Sequence, residues 1–147
     1  MSSICHKRLT ALAISHPHYY STMVEWADRF DIPIYLHEAD REWVMRPSER
    51  ITFWSGETYP LSDGMILLRL EGHFPGGTVL HWRQGADGKG TLLSGDIIQV
   101  VADRQWVSFM YSYPNLIPPP PPKYSVCGTR LRCTSSSGCM EPGSSGS

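Results

Sequence analysis

Five consecutive prolines, Pro118–Pro122, set the outer limit of what this chain can fold into. A proline run has no backbone N–H to give a sheet and follows a semi-rigid extended path. Beyond it come serines, glycines and three cysteines, with Val126, Leu131 and Met140 almost the only apolar side chains. Such a segment has too little apolar surface to offset the entropy of ordering it. The expected organisation is a folded domain over residues 1–117 and a disordered Pro/Ser/Gly-rich tail over 118–147. With 41% hydrophobic residues in a chain of 147, the body has material for one core.

Composition narrows the partners. Thirteen basic residues against fourteen acidic give a net charge of −1, which makes no electrostatic case for nucleic acid or an anionic membrane. The longest apolar runs, such as Met65–Leu68, are far too short to span a bilayer. Cys5 stands alone near the start, while Cys127, Cys133 and Cys139 all lie in the tail. No bridge can staple the body, so a reducing, cytoplasmic location is expected. The tail cysteines, six residues apart, match no tight metal knuckle. Lys7 and Arg8 before Leu9–Ile14 imitate a signal peptide, but the apolar run is short and leads into His16-Pro17-His18.

The body reads as alternating elements. Leu9–Ser15 is an expected buried strand. Thr22 and Glu25 form a T-x-x-E capping box, and Met23, Trp26, Ala27 and Phe30 place one apolar face on the helix that follows. Pro33 stops that helix ahead of a short strand, Ile34–Leu36, and a second short helix is expected over Asp40–Met45. Strands are then expected at Ile51–Trp54, Met65–Glu71, Thr78–Arg83, Thr91–Leu93 and Trp106–Tyr111. Asp63-Gly64 and the glycine-rich stretch 85–90 supply hairpin turns. Strand–helix–strand followed by a run of strands predicts a mixed α/β layered domain.

Four residues are candidates for chemistry, beside readings as loop histidines, a loop-capping histidine and a turn aspartate. His16 and His18 are two apart at a strand end, where an extended backbone projects both imidazoles to one side. His73 lies in Gly72-His73-Phe74-Pro75-Gly76-Gly77 just before one strand, and Asp96 in Ser94-Gly95-Asp96 just after the next. A hairpin between those strands brings its open ends, and hence His73 and Asp96, together. His37 reads as a strand-end histidine and His81 as a surface or packed strand position. The five tryptophans, Trp26, Trp43, Trp54, Trp82 and Trp106, read as core or interface.

The segments L-A-I-S-H-P-H at 12–18, G-H-F-P-G at 72–76 and L-S-G-D at 93–96 resemble, in order and spacing, the metallo-β-lactamase-fold hydrolases. The resemblance covers most of residues 9–117. It implies an αββα sandwich with its site at one edge of the packed sheets, and His16, His18, His73 and Asp96 as metal ligands, with Asp96 also catalytic. The family pattern continues H-x-H with Asp and His for a second metal, where this chain has Tyr20 and Ser21. No histidine follows His81, so the family's last ligand is missing, and the chain starts near the H-P-H strand. These departures imply an incomplete fold and one metal ion, zinc ahead of iron or manganese.

The implied function is a metal-dependent hydrolase acting on a small molecule. An open position on the ion lowers the pKa of bound water to about 7, giving hydroxide that attacks an ester-like, thioester, lactam or phosphodiester bond. Tyr20 cannot serve as a base at neutral pH, which leaves weak or absent turnover open. The alternatives are a non-catalytic metal-binding or self-associating module on the same scaffold, or a truncated inactive product. Apolar faces left by a missing β-layer favour a homodimer.

Overall fold

The computed structural model describes residues 9–102, 104 and 106–109. The expected tail, and with it the boundary at 117, lies outside the described residues.

Nine strands and one helix of two turns organise the described chain. β1 (Leu12–Ala13), β2 (Ile34–His37) and β3 (Ile51–Trp54) form a parallel sheet in that order, with α1 (Met23–Phe30) in the first crossover. β4 (Thr58–Ser62), β5 (Met65–Arg69), β6 (Thr78–Trp82) and β7 (Thr91–Leu93) form an antiparallel sheet of consecutive hairpins. β8 (Ile98–Val100) pairs with β9 (Val107–Phe109). The mixed α/β architecture expected from the sequence is present.

Two clusters form the core, one on the parallel sheet and one shared by the hairpin sheet and the β8–β9 pair. Ile34 and Leu36 of the central strand β2 are fully buried, packing with Tyr20, Met23, Val24 and Ala27 beneath α1. Leu68, Leu70, Val79, Ile97 and Ile98 form the second cluster. The Thr78 N–H donates to Ser15 O at 2.8 Å, joining the start of β6 to the segment that follows β1.

Several sequence expectations need correction. The first strand is only two residues long, and Leu9 is exposed, as befits an edge strand with one partner. The capping box does not form: Thr22 occupies the N-cap but its side chain makes no capping bond. Met23 and Ala27 are buried as expected, but Val24 replaces Trp26 and Phe30 on the inner face. Those two rings stack on each other outside, centroids 5.7 Å apart and nearly parallel. Asp31, in the left-handed conformation at φ 55°, ends the helix two residues before Pro33. Arg50, just before β3, holds this end through Asp28 at 2.7 Å and Asp31 at 2.8 Å. The second helix is a 3-10 turn over Glu38–Trp43 rather than a helix over Asp40–Met45.

β3 and β7 fall where expected, β5 and β6 end two residues and one residue early, and β9 starts one residue late, residues 110–111 of the expected strand lying outside the described residues; β4 and β8 are additional strands. Pro60 inside β4 argues against a strand, but β4 is an edge strand, where a missing N–H is tolerated; the pairing shifts register just after it. Of the five tryptophans, Trp54 is the core residue, and Trp26, Trp43, Trp82 and Trp106 are exposed.

Candidate metal centre

The site forms where the two main sheets meet. β6 and β7 pair with Leu80 opposite Leu93 and Trp82 opposite Thr91, so the open end of this hairpin sets the loop before β6 beside the turn after β7. His73 lies in the first and Asp96 in the second. The turn at the closed end carries Ala86 and Asp87 in the left-handed region, followed by Gly88 at φ 84°.

His16 and His18 approach from the β1 side. His16 is extended, at φ −169° and ψ 166°, but Pro17–Tyr19 is a 3-10 turn. The two imidazoles therefore converge through a turn opening at Pro17, not through strand geometry as expected. Their ring centroids are 5.0 Å apart, and each lies 5.0 Å from that of His73. His73 Nε2 is 3.4 Å from His18 Nδ1, and His16 Nε2 is 3.5 Å from Asp96 Oδ2. One ligand atom from each of the four residues fits within 4.8 Å of all the others. It is the cluster of this kind among the described residues.

His16 provides the test of whether a cation fits. Its ring is fully buried, Nδ1 lies 2.9 Å from Ser15 Oγ, and Nε2 has no hydrogen-bond partner. A buried, unsatisfied ring nitrogen is costly unless something binds it. With the Nδ1 proton donated to Ser15, the Nε2 lone pair faces His18, His73 and Asp96, the arrangement in which a second partner fixes a metal-binding tautomer. Three imidazoles and one carboxylate are a donor set suited to zinc.

Burial, then the neighbouring His73, pushes the His16 pKa down from 6.5 to about 4, while Asp96 pulls it up. The ring is thus neutral at pH 7, the form able to hold a cation. In the metal-free chain, the unfolded state takes up a proton at His16 between pH 6.5 and about 4 that the folded state refuses. Stability from this residue is complete above pH 6.5 and lost as pH falls through that window, by at most about 3 kcal/mol. Urea unfolding of metal-free protein at pH 7 and pH 4.5 is expected to show the loss, and His16→Gln to shrink it. An equal pH dependence in wild type and variant contradicts the assignment.

Close packing positions the site. Phe74 stacks on His16 at 5.8 Å and meets His18 edge-on at 5.1 Å, and Tyr19 meets His16 edge-on at 4.8 Å. A Cβ on Gly95 would lie 2.7 Å from Ser15 Oγ, and Gly95 has φ 57°, so glycine is required beside Asp96. The glycine beside Asp96 thus serves the close approach that its sequence position suggests, whereas the role of Ser15 has no local signal beyond its place next to His16.

Other residues stay out of the cluster. Tyr20 is buried in the first core, where burial, then Asp40, pushes its phenol up. Ser21 is exposed. His37 ends β2 as expected of a structural histidine: Nε2 donates to Gly56 O at 3.1 Å and Nδ1 accepts from Ala39 N–H at 3.1 Å.

This architecture is the metallo-β-lactamase fold. An N-acyl homoserine lactone hydrolase with the product N-hexanoyl-L-homoserine bound at its catalytic metal centre matches with a TM-score of 0.58 at 19% identity, over 86% of this chain and 52% of that one. A variant of B. thuringiensis AiiA with N-decanoyl-L-homoserine bound at its active site matches with the same TM-score, identity and coverage. In sequence, the uncharacterized protein YmaE of Bacillus subtilis (strain 168) is 61% identical over 124 residues, which are 84% of this chain and 45% of YmaE. The chain thus spans less than half the length of that relative. No protein-family profile matches. No helix among the described residues is long and apolar enough to cross a membrane.

Proposed function

We propose that the protein is a metal-dependent hydrolase of small molecules, using a single zinc ion held by His16, His18, His73 and Asp96. The observation that carries this reading is the buried, unpartnered Nε2 of His16 among three further donor groups. When bound, the ion supplies a Lewis acid and lowers the pKa of a coordinated water. His16, His18 and His73 contribute neutral nitrogens, with His16 locked by Ser15. Asp96, whose side chain is partly exposed, is the one acidic group of the four; it would complete the ligand set or, with the fourth position left to water, accept a proton there.

Ester-like bonds come first among the candidates, because the neighbours in fold include a lactone hydrolase; thioesters, lactams and phosphodiesters follow. The test is hydrolysis of a lactone, a thioester, a lactam and a phosphodiester by zinc-reconstituted protein. Turnover of at least one, abolished by His73→Ala, is expected.

A second reading has its own observation. Tyr20 and Ser21 bring neither a carboxylate nor an imidazole to a second metal position, and Tyr20 faces the core. Stoichiometric metal without turnover on any substrate class identifies a non-catalytic metal-binding module instead.

A further inference from the structure

The loop that presents His73 is gripped at one peptide bond. The Arg69 Nε–H donates to Pro75 O at 2.9 Å, and the Gly76 N–H donates to Asp40 Oδ1 at 2.7 Å. These are the two ends of the same peptide unit, Pro75–Gly76. A cation faces its carbonyl and a carboxyl oxygen faces its N–H, so both contacts align with the peptide dipole and reinforce each other. Arg69 closes β5, and Asp40 sits in the 3-10 turn after β2, so the two main sheets each provide one jaw.

Asp40 is costly where it stands. It is 1% exposed, and its Oδ2 has no partner. Burial pushes its carboxyl pKa up, opposed by the Gly76 N–H, His37 and Arg69. Nothing in the proposed chemistry uses it. Its turn is nonetheless held firmly, since His37 bonds both Ala39 N–H and Gly56 O. The fit on the loop is equally tight: a Cβ on Gly76 would lie 2.7 Å from Asp40 Cγ and Oδ2. The second glycine of G-H-F-P-G is therefore dictated by Asp40. Thr78 Oγ1–H donates to Gly76 O at 2.8 Å, and Gly77 N–H to Phe74 O at 3.0 Å, so movement of the clamped peptide carries Phe74 and His73 with it.

We propose that Asp40 and Arg69 are positioning residues that clamp the Pro75–Gly76 peptide and so hold His73 ready for the metal. This rests on the metal reading above.

The test uses the full chain and Co(II), whose visible absorption reports histidine coordination. Asp40→Asn keeps an acceptor for Gly76 N–H and is expected to bind Co(II) as wild type does. Asp40→Leu, of similar size without an acceptor, is expected to weaken binding roughly 10–100-fold, the usual cost of losing an outer-shell partner, and to alter the spectrum. Arg69→Met, at a more accessible site, is expected to act in the same direction and carries the test if Asp40→Leu does not fold. In metal-free protein, the Gly76 amide is expected to be protected from hydrogen exchange in wild type and Asp40→Asn, and unprotected in Asp40→Leu. Wild-type affinity and spectrum in Asp40→Leu overturn the clamp while leaving the metal reading intact. Equal losses in Asp40→Asn and Asp40→Leu also overturn it. Failure of wild type to bind Co(II) removes the metal reading and the clamp's purpose together.

Discussion

Protein incubated with zinc and desalted is expected to retain about one ion per chain, since His16, His18, His73 and Asp96 make a single cluster of donors. His73→Ala is expected to lose it. Three donors would remain, but His18 would have lost the ring whose Nε2 sits 3.4 Å from its Nδ1, and the carboxylate of Asp96 would face only two imidazoles. The loss should exceed the roughly 10–100-fold that removal of an outer-shell partner costs. Metal analysis after dialysis decides the matter, and wild-type protein without metal would falsify the site. His73 suits this experiment better than His16, whose fully buried ring also packs against Tyr19 and Phe74, so its removal confounds metal loss with unfolding.

Leu36→Ala is expected to destabilise the fold by about 2–5 kcal/mol, because it leaves a cavity in a site closed on all sides. Leu36 is fully buried on the central strand β2, between β1 and β3 and beneath α1. Against a total of about 5–15 kcal/mol for a typical domain, that is enough to lower the denaturant midpoint severely. Trp26→Ala provides the contrast. Its ring is outside and stacks on Phe30, so the change should cost well under half as much. Urea unfolding of the two variants in parallel measures the difference, and similar midpoints would show that α1 packs differently.

The site was more legible in the sequence than the fold around it. His16, His18, His73 and Asp96 stand in short motifs flanked by glycine and proline, and the β6–β7 hairpin alone brings two of them together. The convergence of His16 and His18 was foreseen for the wrong reason. Alternation along a strand suggested it, but a turn beginning at Pro17 produces it. The inner face of α1 was misjudged because Trp26 and Phe30 satisfy the apolar period yet find each other outside, leaving Val24 to fill the core. β4 was hidden by Pro60, which only an edge position admits. In the sequence Asp40 looks like no more than the start of a helix. Its contact with Gly76 spans 36 residues, beyond the reach of any local pattern.

The hairpin sheet and the parallel sheet make unlike demands on a folding chain. Among the described residues β4 to β7 pair only with their neighbours in sequence, so that sheet can zip up through short, inexpensive loop closures. β1, β2 and β3 need crossovers, and His16 meets Asp96 only after both units have formed and joined through Ser15 and Thr78. An ion at that junction therefore has nothing to hold until folding is nearly over. Its stabilisation should appear as slower unfolding rather than faster refolding, growing with free-metal concentration.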